Sequence, residues 1–134
     1  MKELNGSEIC SLLKEAKTIA VVGISANQAR VSRSIAEFLS NYYRVVGVNP
    51  AAPSIEGIPV YKSLSDIPFE VDIVDVFRKP ETIPELIPEI IKIKPKCLWL
   101  QEGIRNDEAV SEAFDAGINI VQDKCIYVYF NRCH

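Results

Sequence analysis

Ser25, Asn27, Arg30 and Ser32 follow Gly23 within nine residues, and together they offer two hydroxyls, a carboxamide and a planar guanidinium fork. That set suits phosphate oxygens, which accept charge-assisted and bidentate hydrogen bonds. Ahead of it runs Ile19-Ala20-Val21-Val22, apolar throughout and mostly β-branched, as a strand buried on both faces requires. Behind it a helical pattern begins at about Ser32. The order is strand, loop, helix, so unpaired N–H groups and the positive end of a helix dipole face the loop. The expected ligand carries phosphate. Each residue also has a structural role open to it. Gly23 serves a tight turn, Ser32 an N-cap, and Arg30 and Arg33 solvated surface charges, Arg33 more readily than Arg30.

Those residues need a scaffold, and the chain alternates between two periodicities. Ser7 is placed to cap a first helix whose Ile9, Leu12, Leu13 and Ala16 share a face. Strands are expected at Thr18–Gly23, Arg44–Val48, Val71–Phe77, Lys96–Leu100 and Ile118–Val121. Between them lie helices carrying Ile35, Ala36, Phe38, Leu39 and Tyr42, then Ile83 to Ile91, then a helix started by Asn106 and ended by Gly117. Pro88 predicts a kink or a late start in the second of these. Ile58 to Tyr61 is a candidate extra edge strand, and Ser63 to Asp66 suits a brief turn or helix. Regular alternation of strand and helix gives parallel strands with helices on both faces. The fold class is therefore α/β, a Rossmann-like, doubly wound, mainly parallel sheet of five strands, with ligands expected at the carboxyl ends of the strands.

The remaining polar segments stand at those ends: Asn49-Pro50, the lip Val76-Phe77-Arg78, Gln101-Glu102-Gly103, and Asp123-Lys124-Cys125. A nicotinamide site fits poorly. The three-glycine fingerprint is reduced to Gly23, and Asn49 stands where an acidic residue would meet a ribose. No GxxxxGK[ST] occurs either. With one histidine, His134 at the terminus, no nucleophile–histidine pair can be assembled, and His134 reads as a mobile end. Cys10, Cys97, Cys125 and Cys133 lack metal-ligand spacing and read as reduced thiols, a disulfide framework being unexpected in a chain with a good core.

The run Val22-Gly23-Ile24-Ser25-Ala26-Asn27 with Arg30-Val31-Ser32, followed by Val48-Asn49-Pro50, Asp75-Val76-Phe77-Arg78-Lys79-Pro80, Trp99-Leu100-Gln101-Glu102-Gly103 and Asp123-Lys124-Cys125, resembles the small CoA-binding protein family. These domains are similar to the CoA-binding domain of the succinyl-CoA synthetase alpha subunit. The resemblance covers about Thr18 to Val128. It implies that Gly23, Ile24, Ser25, Asn27, Arg30 and Ser32 line a pyrophosphate region, and that Asn49 and Pro50 edge the adenosine or pantetheine path. It further implies that Val76, Phe77 and Arg78 form the third-strand lip, with Arg78 a second phosphate contact, and that Gln101 and Gly103 lie beside the pantetheine arm. Cys125 would stand near the reactive end of CoA, or else be a small buried apolar residue. The phosphohistidine of the synthetase has no counterpart here.

Length and charge are consistent with this. At 134 residues the chain forms one domain: an N-terminal helix at 1–17, a core at 18–128 and a tail at 129–134. A net charge of −3 disfavours nucleic acid, which needs a clustered basic surface. No apolar run reaches membrane-spanning length and no signal-like start is present, so a cytoplasmic protein is expected. The expected function is binding of CoA or acyl-CoA as a carrier, sensor or accessory subunit. The alternatives are an NAD(P)-dependent oxidoreductase or regulatory domain, and a vestigial interaction domain whose apolar run Ile126 to Phe130 meets another chain, with a homodimer as a candidate assembly. That run is also readable as a sixth strand or a cover over the core.

Overall fold

Along Thr18–Val22 (β1) every residue is buried, Ile19 and Val21 in one apolar cluster and Ala20 and Val22 in another on the opposite side. A strand with two apolar sides must lie inside a sheet covered on both faces. It does. A computed structural model describing all residues from Met1 to His134 shows six parallel strands: β1, Arg44–Val48 (β2), Val60–Tyr61 (β3), Ile73–Val76 (β4), Cys97–Leu100 (β5) and Asn119–Val121 (β6). Their order is β3-β2-β1-β4-β5-β6, so the order reverses between β1 and β4. The expected Rossmann-like architecture holds, and the candidate edge strand at 58–61 is the two-residue β3, which pairs with β2 through Gly47 and Val48.

Two helical layers enclose the sheet. Gly6–Glu15 (α1), Val31–Leu39 (α2) and Ile126–Cys133 (α5) cover one face with Ile9, Leu13, Ile35, Leu39, Ile126 and Phe130. Ile83–Ile93 (α3) and Asp107–Asp115 (α4) cover the other with Ile83, Ile87, Ile90, Val110 and Ala113. No helix is long and apolar enough to cross a membrane.

Several expectations are corrected. Asn5, not Ser7, caps α1: its carboxamide oxygen accepts the Glu8 N–H at 2.9 Å while the Glu8 carboxylate accepts the Asn5 N–H at 2.9 Å, a reciprocal box that satisfies two orphan donors. Pro88 neither delays nor breaks α3, which runs unbroken through it from Ile83 to Ile93. The apolar run after Cys125 is not a sixth strand but α5, which covers the core with Ile126 and Phe130, the other reading open to it. His134 is not free, since its ring stacks on Phe130 at 4.0 Å and its Nδ1 lies 2.8 Å from the Phe130 carbonyl oxygen. Two of the four cysteines are not thiols: Cys10 of α1 and Cys133 of α5 form a disulfide across a Cα separation of 5.3 Å. Sequence spacing gave no hint of that bond because its partners are 123 residues apart and meet only when the two terminal helices pack side by side.

Candidate functional site

The strand-order reversal leaves a crevice above the carboxyl ends of β1 and β4, and two adjoining cavities occupy it. Gly23 closes β1 with a positive φ of 87°, and a Cβ built there would stand 2.5 Å from the carbonyl oxygen of Phe77. Glycine is required on both counts. The loop after it passes close to the end of β4, and the Arg78 side chain approaches the same point, its Cδ 3.2 Å from that built Cβ.

The loop from Ile24 to Arg30 is held by its own polar groups. Ser32 Oγ accepts the Ser25 N–H at 3.1 Å, Ser25 Oγ accepts the Asn27 N–H at 3.1 Å, and Asn27 Oδ1 accepts the Ala29 N–H at 2.9 Å. From outside the loop, Asn49 donates its amide to the Ile24 carbonyl at 2.9 Å. Arg33 does the same for Ala26 at 2.7 Å while pairing with Glu37 at 2.6 Å. Arg33 is therefore no solvated charge. It is 8% exposed and clamps the loop from beneath. Ser32 is not the N-cap either, because α2 starts at Val31 behind Arg30 and the Ser32 hydroxyl turns back to the loop.

These bonds use the acceptor sides of Ser25, Ser32 and Asn27, leaving their hydroxyl and amide hydrogens to donate outward. The first cavity, about 640 Å³, is lined by Gly23, Ile24, Ser25, Arg30, Ser32 and Asn49, with Phe77 beyond them. It contains no carboxylate. The exposed Arg30 guanidinium makes no ion pair. With the first turn of α2 facing the same space, the charged and side-chain polar groups of the cavity are donors and positive charge, set among apolar residues.

The second cavity, about 490 Å³, opens over β4 and β5 and contains Phe77, Arg78, Gln101 and Cys125. Phe77 and Val31 line both cavities. Cys125 is a half-buried free thiol. Its segment is bolted to β5, since Trp99 Nε1 donates to the Lys124 carbonyl at 2.8 Å and Gln101 Oε1 accepts the Ile126 N–H at 3.0 Å. Gly103, at φ 85°, donates its N–H to Asp123 Oδ1 at 2.7 Å, which ties the two loops together.

Ten of the fourteen expected site residues line one cavity or the other. Asn27, Pro50, Val76 and Gly103 do not: Val76 is buried in β4 facing α3 and α4, and Asn27 and Gly103 act by shaping loops. Sequence reasoning missed Val31 and Pro53 as lining residues and Arg33 as a clamp. Val31, 63% exposed at the start of α2, carried a signal in being an apolar residue where a helical stripe had no inward position for it.

Compared with known proteins, residues 17–131 match the family model described as a CoA binding domain. The chain belongs to that family. It is 32% identical over 129 residues, 96% of each chain, to the uncharacterized protein YneT of Bacillus subtilis. A solved structure from Thermus thermophilus, the cell-free ID.343 protein, superposes with a TM-score of 0.93 at 36% identity, covering 98% of this chain and all of that one. Within a far larger protein, an ADP-forming acetate–CoA ligase of Archaeoglobus fulgidus, 121 residues are 32% identical, 82% of this chain against 18% of the ligase. The CoA-binding family thus includes stand-alone chains of this length, and the same domain is related to parts of acyl-CoA synthetases.

Proposed function

We propose that this chain binds CoA or an acyl-CoA and acts as a carrier, sensor or accessory subunit without catalytic machinery of its own. The observation that carries the reading is the first cavity: an acid-free pocket at the strand-order reversal, fronted by the α2 N-terminus and by an unpaired Arg30. A diphosphate there would accept from the first-turn N–H groups of α2, from the Ser25 and Ser32 hydroxyls and from Arg30, all positioned without reorganisation of the loop. Phe77 and Val31 line both cavities, so a pantetheine arm leaving the first would pass over them into the second. The only histidine is packed on Phe130 in α5 and lines neither cavity.

Calorimetry and thermal unfolding with CoA, dephospho-CoA, NAD and ATP test this reading. CoA at 100 times its Kd adds about 2.7 kcal/mol to stability and outperforms the other three. Arg30→Ala weakens CoA on the order of tenfold, the worth of one charged hydrogen bond, and leaves unfolding of the free protein unchanged. A preference for NAD, or CoA affinity indifferent to Arg30, overturns the assignment.

A further inference from the structure

Gln101 is 4% exposed, and its carboxamide is oriented by the chain itself: a backbone N–H, that of Ile126, points at Oε1 from 3.0 Å, so Oε1 must be the oxygen and Nε2 the nitrogen. That nitrogen has no partner in the protein, although the residue lines the second cavity. Nor is it sealed away, because the only polar side-chain atoms both sealed and unpaired are the two carboxylate oxygens of Asp75. Buried amide donors are nearly always paired. A fixed, largely buried donor that faces a cavity and has no partner in the protein is free to meet an acceptor that enters with a ligand.

The surroundings narrow that ligand. Val31, Phe77, Pro80 and Ile104 make much of the lining apolar, so a hydrocarbon group is accommodated at its walls. A free thiol is a poor hydrogen-bond acceptor, whereas the carbonyl oxygen of a thioester accepts well and brings its hydrocarbon with it. We infer that the second cavity receives the acyl end of a short acyl thioester, with the Gln101 amide donating to the thioester carbonyl and thereby selecting acyl-CoA over free CoA. The inference rests on the CoA reading of the first cavity and adds to it which form of the ligand is preferred and which residue decides.

Isothermal titration of the purified protein with free CoA, acetyl-CoA and S-ethyl-CoA tests the inference, since the thioether keeps the size of the acyl group and lacks its carbonyl. Acetyl-CoA binds roughly ten- to fiftyfold tighter than CoA, the range of one net hydrogen bond plus buried methyl surface, and S-ethyl-CoA falls between them. Gln101→Glu retains an acceptor for the Ile126 N–H and removes the outward donor, so it abolishes the preference for acetyl-CoA over S-ethyl-CoA, read as the ratio of the two affinities within the variant. Ile104→Trp narrows the cavity and provides an independent arm, lowering acetyl-CoA affinity at least severalfold more than it lowers that of CoA. Equal affinity for the three ligands overturns the inference while leaving the CoA reading intact. So does loss of CoA and acetyl-CoA in equal measure on Gln101→Glu, which would place the amide on the pantetheine arm. Binding of none of the three overturns the CoA reading and the inference together.

Discussion

Asp75 sits in the middle of β4 between Val21 and Trp99, fully buried with both carboxylate oxygens unpaired. Burial raises its pKa well above the ordinary carboxylate value, and burial together with the neighbouring Asp75 charge raises the Cys97 thiol. A carboxyl whose folded pKa is raised holds its proton more tightly in the native state than in the unfolded chain. Its contribution is therefore fully present below the unfolded pKa of about 3.9 and is lost as pH rises toward the folded value. Asp72 acts in the opposite sense. Burial pushes it up, but the Lys17 and Thr18 N–H groups and the nearby Lys96 ammonium outweigh that and hold it below the usual range. Comparing wild type with Asp75→Asn cancels the Asp72 effect, which the two proteins share. Urea unfolding from pH 4 to pH 8 will show the variant gaining on wild type by up to about 1.4 kcal/mol per pH unit until the folded pKa is passed. A stability difference that stays flat across that window rules out a raised native pKa for Asp75.

At the scale of elements, the loop joining β1 to α2 makes the site, and its two ends were unequally legible. The strand was plain from Ile19 to Val22, because a wholly apolar run must be buried on both sides, and so was the need for a turn at Gly23. The sequence also located the start of α2 to within a residue, although its apolar stripe ran on to Tyr42, past the helix end at Leu39. It could not show that Arg33, one helical step beyond the pattern, folds under the loop to the Ala26 carbonyl, since charge alone reads as solvent-facing. The late start that Pro88 suggested fails for a related reason: the cost of a missing N–H is local, while the burial of Ile83, Ile87 and Ile90 that keeps α3 continuous is tertiary. Gly23 lends itself to a quantitative check. Gly23→Ala and Gly103→Ala share the penalty of a side chain at positive φ, roughly 1–2 kcal/mol, but a Cβ at Gly23 also meets Phe77 whereas one at Gly103 meets nothing within 4 Å. Denaturant titration will find Gly23→Ala the more destabilised of the two, by about 1 kcal/mol or more as overpacking costs run. Equal losses would mean that β1 and β4 are not in tight contact beneath the site.

Seen whole, the molecule is a sheet whose two terminal helices are joined covalently at the end remote from the ligand crevice. Cys125, the residue of that segment which lines the second cavity, precedes α5, and Cys133 is the last residue of the helix. Eight residues of helix put about 12 Å between them. The start of α5 is fixed independently by Trp99 and Gln101, and its middle by Phe130 against Phe38, Tyr42 and Tyr43. The Cys10–Cys133 bond therefore acts chiefly on the unfolded chain, whose loop of 123 residues it closes. A closure of that length stabilises by about 2–5 kcal/mol. Thermal and urea unfolding with and without dithiothreitol will show a loss in that range on reduction, Cys10→Ser will reproduce it, and reductant will have no further effect on the variant. Because the crevice end of α5 keeps its own bonds to β5, ligand affinity at a temperature where both forms are folded stays within about twofold of wild type. If reduction leaves unfolding unmoved, the two terminal helices are not bonded in solution. If it alters affinity as strongly as stability, the end of α5 near Cys125 depends on the disulfide, and the separation between fold and site drawn here fails.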